Sequence, residues 1–204
     1  MIGSMRDEYR TLAGEARHEP PRIKGSRFIA TAMPVSSAAR AEEFVRRIRA
    51  EFSDARHTCF AWRLGAEGEE TRANDDGEPG GSAGRPILQQ IVGHEVTDVA
   101  VAVARWFGGI KLGVGGLMRA YGGATGAVLD RAKVRIVAIT RRAVIVYPYE
   151  CSSAIEGLLA ATGLAPCKSE YGASVRLEVD VPLSLLDEFL REVRDRTAGR
   201  ATVR

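Results

Sequence analysis

"VAVAVARWFGGIKLGVGGLMRAYGGATGAVLDR", residues 99–131, changes its apolar period once, and that change sets the fold class. Val99, Val101 and Val103 alternate with smaller residues and share one face of an extended chain, so a strand is expected over 96–107. Leu117, Tyr121, Ala124 and Val128 recur at helical spacing, so a helix is expected from about Gly115 to about Ala132. Between them "GGIKLGVGG", residues 108–116, holds five glycines, one lysine and no acid. A strand that turns through glycines into a helix is a layout in which backbone N–H groups hold phosphates. Neither named phosphate loop fits. Gly108 and Gly113 have the Walker A spacing, but Val114 and Gly115 follow where Lys and Ser or Thr are required. The dinucleotide pattern starts at Gly113-Val114-Gly115 and then meets Met118 in place of its third glycine. No acid stands near residue 135 to hold a ribose; Arg135 is there. Gly122, Gly123 and Gly126 inside the helix each cost about 1 kcal/mol against alanine, which predicts close packing of its backbone.

Reading outward, residues 8–33 contain two strands around "HEPPRIKG". Ser36-Ser37 offers a cap for a helix over 37–50, with Ala41, Phe44, Val45, Ile48 and Phe52 recurring at helical spacing and Arg40, Arg46, Arg47 and Arg49 outward. "HTCFAWRLG", 57–65, is a strand that places His57, Cys59 and Ala61 on one face. "AEGEETRANDDGEPGGSAGRP", 66–86, reads as a long loop or a short edge strand followed by a loop. Pro86 fits the first turn of a helix that carries Ile87, Leu88 and Ile91 and stops at Gly93. "VRIVAI", 134–139, reads as the closing strand.

From about residue 140 the pattern becomes strand, helix, two strands, helix, strand. "RRAVIVYPY" is the first strand, and Ser153 with Glu156 reads as a capping box before Ile155, Leu158 and Leu159. "LAPCKSEYG" and "ASVRLEVDV" form a hairpin near Gly172. Ser184 and Asp187 open a second helix with Leu186, Phe189, Leu190 and Val193, and "RATVR" is a last strand. This is the split βαβ order of a ferredoxin-like unit. An α+β fold of two domains is expected, 1–139 and 140–204.

Composition is that of a soluble globular protein, 45% apolar and 27% charged. No apolar run is long enough to span a bilayer, and the N-terminal stretch lacks the apolar core of a signal peptide. Cys59, Cys151 and Cys167 are widely spaced, which suits reduced thiols in a cytoplasmic protein. The net charge of +3 is small, but its layout is uneven. Residues 105–142 carry Arg105, Lys111, Arg119, Arg131, Lys133, Arg135, Arg141 and Arg142 against Asp130. Residues 67–78 carry Glu67, Glu69, Glu70, Asp75, Asp76 and Glu78 against Arg72. The basic run either attracts phosphates, with the amides of Gly108, Gly109, Gly113, Gly115 and Gly116, or is an ordinary solvated face. Trp106 and Phe107 either stack on a base or pack in the core. His57, Cys59, Asp76, Glu78 and Arg85 are candidates for a pocket between the acidic and glycine-rich segments, suited to a phosphorylated small molecule. His57 and Cys59 form a thiol–imidazole pair on one strand face or simply pack. His18 and His94 lie in no ligand motif, so no metal is expected.

"SRFIA", "HTCFAWRLG", "DDGEPGGSAGRPIL" and "RWFGGIKLGVGGLMRAYGGAT" together resemble the IMPACT/YigZ family over nearly the whole chain. Departures are small: Gly80 stands where the family has Ser, Ser82 for Thr, Arg85 for Lys and Trp106 for Tyr. Gly80 lacks the hydroxyl, so no role needing a serine there carries over. The resemblance implies a first domain with the fold of elongation factor G domain IV (ribosomal S5 domain 2-like) and a second resembling domain V. It also implies association with translation, nucleic-acid binding in bacterial members, and no established enzymatic activity or cofactor. Eukaryotic members act on a stress-responsive translation-initiation kinase pathway through an additional N-terminal domain for which these residues leave no room, so that role is not expected. The expected function is therefore that of a translation-associated regulator that binds RNA or the ribosome through Arg105, Lys111, Arg119 and the glycine-loop amides, without membrane attachment; the alternative is a phosphate-ligand-binding protein or enzyme that uses the glycine-rich and acidic loops.

Overall fold

A computed structural model of the chain describes residues 7–204; the first six residues of the stretch read above as lacking a leader's core lie outside the described residues. The chain divides into two compact units between Val137 and Ala138, and Asp7 and Glu8 group with the second. The expected boundary lay two residues later.

In the first unit, β1 (Glu8–Leu12), β2 (Ala16–His18) and β3 (Arg27–Pro34) precede α1 (Ala38–Glu51). Then follow β4 (His57–Leu64), β5 (Glu70–Asn74), α2 (Gly84–Gly93), β6 (Val99–Trp106), α3 (Val114–Arg131) and β7 (Val134–Ala138). Five strands form an antiparallel sheet in the order β2-β3-β6-β4-β5. Residues 66–86 thus supply a short edge strand before their loop. β7 does not close this sheet; it pairs with β1. Residues 8–33 hold three strands where two were expected: the three-residue β2 and β3 pair around "HEPPRIKG", while β1 pairs with β7 and not with β3.

Strand period explains the layers. Cys59, Ala61, Val99, Val101 and Val103 face α2 and α3 in one core. The alternate residues Phe60, Trp62, Ala100 and Ala102 face α1 in another. β6 is buried on both faces, which is why its sequence is continuously apolar. The helical glycines divide by direction. A Cβ at Gly126 would lie 2.9 Å from Gln90 Oε1 of α2, and one at Gly122 3.8 Å from Pro86 Cβ, whereas Gly123 faces open space. Close helix packing accounts for Gly126 only; a Cβ at Gly122 would make an ordinary contact.

The second unit contains β8 (Thr140–Tyr147), a 3₁₀ turn (Tyr149–Cys151), α4 (Ser152–Thr162), β9 (Pro166–Tyr171), β10 (Val175–Pro182), α5 (Leu183–Arg196) and β11 (Thr202–Val203). Its antiparallel sheet runs β11-β8-β10-β9, the ferredoxin-like order. Ile145, Tyr147, Leu177 and Val179 pack beneath Ile155, Leu158 and Phe189 of the two helices. Gly163 ends α4 with φ +68°.

The caps differ from those expected. Ser37 caps α1, but the 3₁₀ turn brings Ser153 inside α4, so the capping box with Glu156 does not form. Ser184 likewise lies inside α5, and its N–H donates to the Asp7 carboxylate at 2.7 Å, across 177 residues. Asp75 does the same for α2, accepting the N–H groups of Gly81, Ala83 and Gly84 at 2.8 Å each. Both helices are capped by aspartates remote from the local pattern. Burial pushes the Asp75 pKa up, but the three backbone donors outweigh it and hold the carboxyl below its ordinary value.

Two outcomes follow for denaturant unfolding of the intact chain. Gly123→Ala adds stability of about 0.5–1 kcal/mol, since the new methyl meets nothing and the unfolded chain loses freedom. Asp75→Asn costs about 1–2 kcal/mol at neutral pH. Because the folded pKa is lowered, this contribution is complete above the unfolded aspartate value, about 3.9, and disappears as pH falls through the lower folded value. The difference between the Asp75→Asn variant and wild type therefore shrinks in acid.

Candidate functional site

The Asp75 cap fixes the start of the loop between β5 and α2 and so determines where Glu78 goes. Glu78 turns inward and pairs with Arg105, at the end of β6, with Nη1 to Oε1 2.6 Å and side chains only 4% and 7% exposed. The Tyr121 hydroxyl, from α3, donates to the same Oε1 at 2.7 Å. Arg105 Nη2 donates to Ser26 Oγ at 3.4 Å, and the Gly108 N–H donates to that oxygen at 3.2 Å. The Arg105 guanidinium lies 5.7 Å from the ring centres of both Phe28 and Phe107. Its Nε is buried without an acceptor.

The five glycines of the loop have separable reasons. A Cβ at Gly108 would lie 1.9 Å from the Gly25 carbonyl carbon, so two backbones meet where no side chain fits. Gly109 and Gly113 adopt φ +89° and +74°. Gly115 and Gly116 lie in the first turn of α3, after an N-cap, Gly113, that has no side chain to offer. The helical ladder begins with the Leu117 N–H donating to the Gly113 carbonyl at 2.9 Å, so the N–H groups of Val114, Gly115 and Gly116 have no intrahelical partner.

These elements enclose a cavity of about 410 Å³. Pro79, Phe107, Leu112, Val114 and Leu117 give it apolar walls, while Arg56, His57, Glu78, Arg105 and Lys111 contribute polar groups. The structure therefore gathers Arg105, Lys111, Gly113, His57 and Glu78 from the candidate residues around one opening. The others lie elsewhere. Arg119 is exposed beside the first turn of α3, where a Cβ on Gly115 would lie 3.6 Å from its Nη1. Arg85 is exposed on α2 and does not line the cavity. Asp76 turns away at φ +44°, accepts the Thr58 N–H at 2.6 Å and pairs with Arg49 of α1 at 2.6 Å.

His57 and Cys59 do not form a pair. His57 Nδ1 lies 2.7 Å from the Asp76 carbonyl oxygen, so it carries the proton, and in the neutral ring Nε2 is left as an acceptor. Cys59 Sγ donates to the Asp75 carbonyl at 3.0 Å. Burial, helped by the nearby carboxylates of Glu78, Asp76 and Asp75 and opposed by Tyr121, pushes the thiol up to about 12. That thiol is neither a nucleophile nor a thiolate ligand near neutral pH. Burial pushes the Tyr121 phenol far up as well, reinforced by Cys59 and Glu78. Among the described residues no group of three His, Cys, Asp or Glu side chains is arranged to hold a metal. No helix there is long and apolar enough to cross a membrane.

Sequence reasoning missed Ser26, Arg56 and Tyr121 as site residues. Arg56 lies outside the blocks that carry the family resemblance; Ser26 opens "SRFIA" and Tyr121 lies in "RAYGGAT", but nothing in those blocks assigns either a role, and Tyr121 reads as one more core residue of an amphipathic helix. Of the two aromatics left open, Trp106 is covered by Phe52, with ring centres 5.5 Å apart, and by Arg27, 4.7 Å from its ring. Phe107 is 43% exposed and forms part of the cavity wall.

Comparison with known proteins adds the family. Residues 24–129 match the Impact N-terminal domain, and residues 147–200 match a domain of unknown function, DUF1949. The chain is 36% identical over 179 residues to the IMPACT family member YigZ of Escherichia coli, covering 87% of this chain and 88% of the relative. It is 32% identical over 206 residues to the IMPACT family member YvyE of Bacillus subtilis, covering 98% and 92%. A yeast protein, the Protein IMPACT homolog of Saccharomyces cerevisiae, matches 49% of this chain with 40% of its own length at 33% identity. The crystal structure of a hypothetical protein superposes with a TM-score of 0.72 at 33% identity, covering 98% of this chain and 97% of that one. With the first domain matched between Lys24 and Leu129, the second matched after it, and relatives similar along nearly their whole length, the chain belongs to the IMPACT family.

Proposed function

We propose that this IMPACT family member is a non-enzymatic RNA-binding protein, associated with translation, that meets RNA phosphates at the start of α3. The observation that carries this reading is the set of three backbone N–H groups, on Val114, Gly115 and Gly116, left without intrahelical partners beside the exposed cations Lys111 and Arg119. Partial positive charge at a helix start adds to the side-chain charges and favours phosphate oxygens. Phe107 and Ile110, 43% and 56% exposed, adjoin these cations and offer apolar surface to an unstacked base. The neutral Cys59 thiol and Tyr121 phenol support a binding role over nucleophilic chemistry.

Charge placement favours the first unit for this contact. On the second unit's sheet, Arg142 pairs with Asp180 at 3.0 Å and Lys168 with Glu170 at 2.7 Å. Arg176 lies 3.6 Å from Glu170 and 3.7 Å from Glu178. Those cations are already matched by carboxylates of their own sheet.

The test is co-sedimentation with ribosomes, and filter binding to the RNA recovered, over a salt series. Binding weakens steeply with salt, because each phosphate neutralised releases counterions. Lys111→Ala with Arg119→Ala lowers affinity and flattens the log–log slope by about 0.7–0.9 per lost contact. Arg142→Ala with Arg176→Ala leaves both unchanged. Binding that is absent, or that keeps its affinity and slope in the Lys111/Arg119 double variant, overturns the assignment.

A further inference from the structure

We infer that the cavity beside the glycine loop receives a single nucleotide bearing a phosphomonoester, with its base between the apolar walls and its phosphate on the first turn of α3. The inference rests on the RNA reading only for the source of that nucleotide; a free nucleoside monophosphate satisfies the same chemistry. Three observations converge on it.

The first is charge. Arg56, Arg105 and Lys111 stand against one carboxylate, Glu78, so the wall carries a net charge of +2. A phosphomonoester brings about −1.5 to −2 charges at pH 7 and matches that surplus, whereas a phosphate inside an RNA strand brings one. The second is an unspent donor. The Arg105 side chain is 7% exposed and forms part of the wall; its Nε is sealed inside the fold, but Nη1 and Nη2 each keep a second N–H beyond those given to Glu78 and Ser26. A guanidinium has five N–H donors, and Glu78 and Ser26 take only part of them. This buried cation is independent of the open helix terminus and lies on the same cavity. The third is shape. About 410 Å³ falls within the range of small-molecule sites, about 300–1,000 Å³. Phe107 presents an exposed ring on the same wall set as apolar Leu112 and Val114. Stacking on an aromatic ring tolerates any base. His57 Nε2, free of the Asp76 carbonyl that holds Nδ1, offers an acceptor for a ribose hydroxyl or a base N–H.

Gly115→Asp separates this site from folding. Gly115 has ordinary helical φ, and a Cβ there makes an ordinary contact, 3.6 Å from Arg119 Nη1. A carboxylate in the first turn favours the helix while occupying the anion position. The variant therefore melts at the same temperature as wild type or higher, and its phosphate site is blocked.

The experiment is isothermal titration of the full chain with AMP and UMP, with adenosine and uridine, and with inorganic phosphate. One short oligoribonucleotide is added in 5′-phosphorylated and 5′-hydroxyl forms. Both monophosphates bind, and the nucleosides and inorganic phosphate bind at least about tenfold more weakly, as expected when a charged hydrogen-bond set or a stacked base is lost. Lys111→Gln weakens the monophosphates, and Gly115→Asp abolishes their binding with the melting temperature kept. A preference for the 5′-phosphorylated oligonucleotide makes the RNA end the source; monophosphate binding without that preference makes it the free nucleotide, and either supports the site. Monophosphates that bind no better than nucleosides or inorganic phosphate overturn the inference, as does binding that survives in a folded Gly115→Asp variant. Ribosome binding that persists when nucleotides fail leaves the RNA reading standing alone. Nucleotide binding without ribosome binding sinks that reading and keeps the cavity's.

Discussion

The buried pair between Glu78 and Arg105 is the contact that ties the cavity end of the first unit together. Glu78 comes from the loop after β5, Arg105 from the end of β6, and Tyr121, which donates to the same carboxylate oxygen, from α3. Three elements distant in sequence thus share one oxygen atom. Removal of either partner of such a pair leaves a buried charge uncompensated and costs about 3–5 kcal/mol. The pair is therefore a constraint on geometry more than a source of net stability. It fixes the loop against the sheet, and it forms the floor of the cavity with a cation whose donors are not all used. Gly25 and Gly108 hold the loop after β6 against the turn before β3, since their backbones approach too closely for any side chain.

Helix starts show how the chain handles exposed N–H groups. α1 uses its own Ser37. α2 and α5 take carboxylates from Asp75 and Asp7, the first over a short loop and the second over most of the chain. α3 begins at Gly113, which has no side chain, and its first turn contains Gly115 and Gly116. Glycines there cost helix stability, and they leave the donors open to approach. In the proposed function, an RNA or nucleotide phosphate takes the place that an aspartate takes at α2 and α5.

Much of this architecture is legible from residue pattern. The change from period two to helical period between Val103 and Leu117 marks β6 and α3, and the continuous apolar run of β6 foreshadows burial on both faces. The ferredoxin-like order follows from alternation in "ASVRLEVDV" and from Gly163 as a helix stop. The true caps of α4 and α5 are not legible at Ser153 and Ser184, because local patterns cannot show that a preceding 3₁₀ turn advances α4 or that Asp7 returns to cap α5. The pairing of β7 with β1, instead of with the main sheet, is equally hidden, since strand pattern fixes faces but not neighbours.

Sequence alone determined most of the helices and longer strands, the two-part order, the family resemblance and the cationic character of the glycine-rich segment. These depend on residue type and short-range spacing, which a linear chain displays directly. Tertiary structure decided which candidates meet. It drew Glu78 inward to Arg105 and sent Asp76 outward to Arg49, although the two acids are neighbours in one acidic loop. It kept His57 and Cys59 apart by giving each a different backbone carbonyl. It packed a half-buried Trp106 against Phe52 and left Phe107 on the cavity wall. Direction of a side chain, burial and the partner it finds depend on backbone turns such as the positive φ of Asp76 and on contacts between distant segments, and neither is written in the local order of residues.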